Sequence, residues 1–514
     1  MVQGELPVNQ ESRVKKTLKN ARVNLIFYFL TLALSFFSRK IFLDTLGADF
    51  VGLTSTLQNL LGFLNLAELG VGTAIGYVLY KPLFEHNQDK INEIISVMGY
   101  LYRNIGLIIL GAGFVLACFL PLIFPSTGFD LLLIYFAYFA FLTSSLIGYF
   151  VNYRQNLLGA DQKNYVVTAC YQAISILKIL IQMASAYYTG SYILWVVIEL
   201  TFGILYSIVL NIQINKVYPW LKSEIRLGKK LFKKYPEVWK YTKQLFVHKI
   251  TGFVQNQTTP FFVYAFVSLK TVAYYGNYTI ITDKLSILIS NFLDSTSSGV
   301  GNLVAENNVA KEKGVFEELL SLRFLIAGIL IFAVYHLLPP FISLWLGPEY
   351  VMSNTVLILL LTSFFISITR GVVDQFLFAH GLFYDVWAPA VEAAIYIITA
   401  LFGGHFWGLE GILLGGILSK IVIVCIWKPY FLFNKGFKRS VWRYWLEYLK
   451  NIALLAIPAI VLHKFFLLES VDTWLQWLVY ALKISMSYTV VAFILMLCFT
   501  DGIKKLLKRF LKRT

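Results

Sequence analysis

The sequence predicts an all-α integral membrane protein with about fourteen transmembrane helices, arranged as two parallel six-helix lobes followed by two further helices. Three observations carry this reading. Of 514 residues, 58% are apolar and only 14% are charged, against about 45–50% and about 25% in a soluble chain. Apolar runs of about 20 residues, the length that crosses a bilayer core, recur along the whole chain. Short motifs also repeat at a nearly constant offset. So much Leu, Ile, Phe, Val and Tyr cannot be hidden inside soluble globules. The composition excludes a soluble enzyme, a disordered scaffold and a nucleic-acid binder, despite a formal net charge of +16.

In chain order, the first 20 or so residues are polar and basic, with no small-residue cleavage site before the first apolar run. They read as a cytoplasmic tail ahead of an uncleaved signal-anchor helix. Apolar runs at about 22–44, 51–80, 97–124, 130–151, 165–188 and 192–212 form a first lobe, residues 1–212. Residues 213–244 are a basic cytoplasmic linker, too short to bury a core of its own. It serves either as a topology signal or as a contact for anionic lipid. The second lobe, residues 245–433, holds runs at about 245–268, 277–303, 320–343, 354–378, 387–403 and 410–432. Runs at about 449–467 and 475–499 follow within 434–514, which ends in the basic tail DGIKKLLKRFLKRT.

Most of the 44 Lys and Arg fall on segments that this count places on one side, and only Lys270 and Lys464 lie in loops on the other. Positive loops stay inside, so both termini are assigned to the cytoplasm. Placed this way, the basic excess needs no anionic macromolecular partner. The opposite loops are too short for the catalytic loop of a membrane glycan polymerase or transferase. No GxxxxGK[ST] occurs. Cys118, Cys170, Cys425 and Cys498 lie in apolar runs without CxxC spacing, and the six histidines are scattered. Neither a disulfide framework, nor a metal site, nor a cofactor is expected.

The repeat runs through the chain in order. Leu120-Pro121 returns as Leu338-Pro339, an offset of 218, and Leu142-Thr143-Ser144 as Leu361-Thr362-Ser363, an offset of 219. Arg154-Gln155 matches Asp374-Gln375 at 220, and Gly70-Val71-Gly72 matches Gly299-Val300-Gly301 at 229. Six spans per copy is an even number, so both copies enter the membrane in the same direction. Parallel repeats of this kind place a substrate site between them.

Polar residues inside the spans fall on stripes of helical spacing. The first span has Asn24, Tyr28, Thr31, Ser35 and Ser38 or Arg39; the second has Thr54, Gln58, Asn65, Glu68 and Gly72. The seventh has His248, Gly252, Gln255 and Thr259; the eighth has Asp283, Ser290, Asp294, Ser297 and Gly301. These stripes, with Lys284 beside Asp283, read either as walls of an aqueous cavity or as ordinary small-residue helix packing. Arg39 and Lys40 either snorkel to headgroups or, for Arg39, hold an anionic substrate. Arg370 and Asp374 are four apart and suited to an intrahelical pair. Lys178 with Glu199, and Glu392 with Lys420, give each lobe one acid and one base on neighbouring helices. Mutual neutralisation is the economical account of these four.

The run SRKIFLDTLGADFVGLTSTLQNLLGFLNLAELGVGTAI at 38–75 resembles the start of bacterial polysaccharide-repeat-unit (O-antigen type) flippases, members of the multidrug/oligosaccharidyl-lipid/polysaccharide (MOP) exporter superfamily. ISLWLGPEYVMSN at 342–354 resembles a turn of the same family. The resemblance implies a MATE-like fold and a non-enzymatic protein of the bacterial cytoplasmic membrane. Its substrate would be an oligosaccharide on undecaprenyl diphosphate, carried from the inner to the outer leaflet by alternating access. Membrane lipids, and the glycan polymerase and glycosyltransferases of the same pathway, are the implied partners. Cations in the cavity would meet the diphosphate, and by helix these are Arg39, Lys284 and Arg370. Glu68, Asp283 and Asp294 are candidates for a protonatable coupling site. The alternatives are a cation-coupled multidrug exporter or a lipid II flippase of the same superfamily and, in a different class, a membrane glycan polymerase or transferase.

Overall fold

The computed structural model describes residues 13–511 except 69, 126, 294, 295, 307, 383 and 467–470. Within its helices, the side chains of 13–18, 20, 21, 67, 244, 245, 247–256, 291, 298, 302, 305, 510 and 511 are not described. Asp294 and the side chains of His248 and Gln255 therefore lie outside the described residues. All regular elements among the described residues are helical, and the chain divides into two compact units, 1–261 and 262–514.

In the first unit, α1 (Arg13–Leu64) breaks at Gly47, whose φ of 82° is a left-handed geometry natural to glycine. Its 52 residues thus make two passes. A 3-10 turn at Asn65–Glu68, then Gly70 at φ 93°, interrupts the second pass before α2 (Val71–Phe84). α3 (Gln88–Ile123) and α4 (Leu131–Phe150) start at Asn87 and Asp130, whose side chains accept from backbone N–H groups of the first turn. A 3-10 turn at Asn152–Arg154 leads into α5 (Gln155–Ala160). α6 (Asn164–Thr189) and α7 (Tyr192–Val217) are joined by Gly190 and the N-cap Ser191.

The basic segment that follows is folded rather than free. With α8 (Gly228–Phe232), and up to the start of α9 (Pro236–Phe266), it lies against α3. The Lys222 N–H donates to Asn92 Oδ1 and the Glu224 N–H to Ser96 Oγ, both at 2.9 Å. Lys234 and Tyr235 both reach Glu93, at 2.7 and 2.5 Å. An extended backbone must pair its amides, and polar residues on the first turns of α3 supply the acceptors. The division between compact units accordingly falls inside α9 and not in this segment.

The second unit comprises α10 (Leu269–Leu293), α11 (Ser297–Ala305), α12 (Val309–Trp345), α13 (Asn354–Thr369) and α14 (Gly371–Ala379). It continues through α15 (Trp387–Lys420), α16 (Lys428–Phe431) between two π-helical stretches, α17 (Trp442–Phe466), α18 (Trp474–Phe499) and α19 (Asp501–Leu511). α15 breaks at Gly408, φ 56°, and its halves fold back on each other. A Cβ on Gly411 would stand 1.9 Å from the Gly403 carbonyl oxygen, and one on Gly415 would stand 2.7 Å from the Ala400 nitrogen. Only small residues permit such a close antiparallel approach.

Among the described residues, ten helical stretches are long and apolar enough to cross a membrane. The breaks at Gly47 and Gly408 divide two of these, and α9 and α10, 31 and 25 residues long, have the length of further passes. The helices are amphipathic in the sense that lipid requires. On α18, Tyr480, Ile484, Tyr488, Ala492 and Met496 are buried, while Leu478, Leu482, Met486, Val490 and Ile494 are exposed. Both stripes repeat every four residues. A second apolar face of that length would drive association in water, so its solvent is hydrocarbon. The inner face packs on α12, where Phe332 stacks on Tyr488 at 4.4 Å.

Candidate functional site

Each unit has a polar centre built around a helix break. In the first, the 3-10 turn after α1 presents Asn65 and Glu68. Tyr149 donates to Asn65 Oδ1 at 2.9 Å and Tyr102 donates to Glu68 Oε1 at 2.7 Å. Asn156 Nδ2 then donates to the Tyr102 hydroxyl at 3.3 Å. Gly72 makes room for this, because a Cβ there would lie 2.8 Å from the Tyr102 oxygen. Elsewhere in the same unit, Lys178 Nζ meets Glu199 Oε1 at 2.6 Å. Gln182 Nε2 takes the other carboxylate oxygen at 3.0 Å. Lys178 and Glu199 are thus brought together, with an amide as third member.

In the second unit the centre surrounds a void. Where α13 gives way to α14, a cavity of about 320 Å³ is lined by Ser290, Arg323, Ser367, Arg370, Asp374 and Gln375, among others. Arg370 Nε donates to Asp374 Oδ2 at 2.7 Å, one turn along, at the half-exposed rim. Arg323 is 4% exposed, and its Nη1 donates to the Ile368 carbonyl at 3.2 Å. Gly371 lets that guanidinium lie against the backbone, for a Cβ there would stand 2.2 Å from Nη1. Lys420 Nζ donates to Ser363 Oγ at 2.6 Å and lies within electrostatic reach of Arg370, Glu392 and Asp283. Two guanidiniums and several hydroxyls around a void suit an oxyanion. Among the described residues, no group of three or more His, Cys, Asp and Glu is placed to hold a metal ion.

The remaining sequence candidates separate by exposure. Asn24 and Gln58 are exposed on the first unit and Asp283 on the second, while Tyr28, Arg39 and Lys284 are half-buried. Glu392 is buried, 7% exposed. The hydroxyls of the first stripe turn back into their own helix: Thr31 donates to the Phe27 carbonyl at 2.7 Å and Ser35 to that of Leu32 at 2.7 Å. Hydroxyls satisfied in this way need no water, so only the amides and ions of the stripes are informative. Arg323 escaped the sequence reading, although a lone arginine within an apolar span is itself a functional signal.

Solved structures share this architecture. The lipid II flippase MurJ, in an inward closed conformation, matches with a TM-score of 0.64 at 15% identity, covering 92% of this chain and 98% of its own. An inward-facing multidrug resistance MATE family transporter of the MOP superfamily matches at 0.56 and 14% identity, covering 81% of this chain and 99% of its own. The Vibrio cholerae MATE transporter VcmN matches at 0.50 and 12% identity, covering 82% and 98%. The fold is MATE-like. No protein-family model and no curated protein matches the chain, so the likeness is one of fold.

Proposed function

We propose that the protein flips undecaprenyl-diphosphate-linked oligosaccharide repeat units from the inner to the outer leaflet of the bacterial cytoplasmic membrane. The observation that carries this is Asp283, an ionisable residue near the middle of a membrane-spanning helix, exposed on the surface of its unit. Hydrocarbon cannot solvate such a group, so that face borders water or polar substrate. Gln58 makes the same demand on the first unit. In the first unit the second helix is interrupted at 65–70. A broken helix offers backbone groups and half-helix ends to a substrate or a coupling ion.

An anionic, lipid-linked substrate is favoured over a cationic drug by the Arg323 and Arg370 cavity, which suits a diphosphate. On this reading the hydrated glycan crosses between polar walls while the prenyl chain stays in lipid. In the second unit Lys284 and Arg370 meet the diphosphate, Asp283 carries the coupling proton or ion, and the protein catalyses no bond change.

The test is reconstitution of the full chain in vesicles whose inner leaflet carries the lipid-linked oligosaccharide. The glycan should become accessible to an external glycosidase, and Arg370→Ala should slow this at least tenfold. Export of cationic dyes without glycan exposure would replace this reading with the multidrug one.

A further inference from the structure

Away from these charges, the second unit holds a cavity of about 280 Å³ whose lining includes Tyr335, His336, Pro339, Asn354, His463 and Phe466. It lies where α12 and α17 end and α13 and α18 begin. At the other end of α12, Lys505 and Arg509 of α19 bind Glu317 and Glu318 at 2.8 and 3.2 Å. From Glu317 to His336 the helix rises about 28 Å at ~1.5 Å per residue. The cavity and the basic helix therefore stand about one hydrocarbon thickness apart.

Hydrogen bonds join the polar groups of the cavity. The Tyr480 hydroxyl donates to the Phe466 carbonyl at 3.2 Å and lies 3.3 Å from His336 Nδ1. His336 Nε2 faces His463 Nδ1 at 3.3 Å, and one of these two nitrogens carries the proton between them. His463 Nε2 faces no group of this network and donates or accepts according to the tautomer. Asn354 Nδ2 donates to the Tyr335 oxygen at 3.1 Å, which directs the Tyr335 proton and Asn354 Oδ1 elsewhere.

We infer that this cavity binds one neutral sugar residue of the transported glycan, at the end of the unit remote from α19; the inference rests on the flippase reading. A sugar hydroxyl both donates and accepts, which matches an imidazole nitrogen, a phenol and an amide set around one void. The Tyr335 and Phe466 rings offer apolar faces to the C–H side of a pyranose. Among the described lining residues there is no Lys or Arg to attract phosphate or a uronic acid. Two imidazoles, with no carboxylate or thiolate among those residues, fall short of the ligand set a metal needs.

The experiment is saturation-transfer NMR on the purified full chain in detergent, with free glucose, N-acetylglucosamine and glucuronic acid as probes. Saturation is expected on at least one neutral sugar, lowered at least tenfold by His463→Ala and several-fold by Tyr335→Phe. His463→Gln, which keeps a group able to donate or accept near Nε2, should retain it and so separates loss of the polar contact from loss of fold. No saturation, saturation confined to glucuronic acid, or saturation indifferent to His463→Ala would each overturn the inference. The readout needs no transport, so sugar binding without flipping would defeat the proposed function alone. Flipping without His463-dependent binding would defeat this site alone.

Discussion

The two units handle the same difficulty, ionisable groups at membrane depth, in opposite ways. In the first unit, Lys178, Glu199 and Gln182 close on one another, and Glu68 and Asn65 are held by tyrosines from α3 and α4. In the second, Arg370 and Asp374 sit at the rim of a cavity with Arg323 behind them. A closed triad secures helix packing; a pair at a rim can exchange partners with a ligand. The comparison teaches that the count of charges in a span says less than whether a void adjoins them.

The largest test of this contrast is Glu199→Ala. It leaves Lys178 charged and largely buried, and such half-broken pairs cost about 3–5 kcal/mol. The melting temperature in detergent should fall steeply, while Lys178→Met with Glu199→Leu recovers most of the loss. Equal melting of the single and double variants would show that the pair does not act as a unit. Next is Gly72→Ala, whose methyl pushes Tyr102 off Glu68. Overpacking of this kind costs about 1–3 kcal/mol, and the same measurement should register it.

The second unit should answer differently. Arg370→Ala removes a half-exposed pair worth about 0–1 kcal/mol, so melting should barely move although flipping falls. A large melting shift would move Arg370 from the transport site to the scaffold.

The smallest effect is expected at α19. Its hydrogen bond to Glu317 raises the pKa of Lys505 above the ordinary 10.5. A group raised in the folded state stabilises below its unfolded pKa and loses that contribution as pH rises through the folded value. Docking of α19 should therefore be constant through neutral pH and weaken only above about 10.5, as read by proteolysis of the tail with an alkali-tolerant protease. Loosening near pH 7 would contradict the assignment. Tyr235, pushed upward by burial and by its bond to Glu93, stays a donor over the same range.

Much of the fold was legible because lipid writes directly into sequence. The runs expected at 130–151 and 475–499 correspond to Leu131–Phe150 and Trp474–Phe499. The site was legible only in part. Helical spacing finds a face but not what stands opposite it. Glu68 was visible as a polar residue, while its partner Tyr102, 34 residues on, was one of 31 tyrosines. His336 and His463 lie 127 residues apart, and only the packing of α17 on α12 joins them. The docking of the basic segment was hidden for a related reason: composition shows charge but not the side-chain acceptors on α3, Asn92 and Ser96, that its backbone amides meet.

The turn at Gly408 has a practical consequence. Gly403 and Gly411 touch across it, so the hairpin of α15 has no slack and no loop to give. An epitope or reporter inserted there to map topology would pry the two arms apart instead of reporting which side they face. The exposed residues 438–440, between the last π-helical turn and α17, are the better place to put one. For the same reason the two arms must travel together, as one stiff paddle, in any rearrangement that the second unit makes.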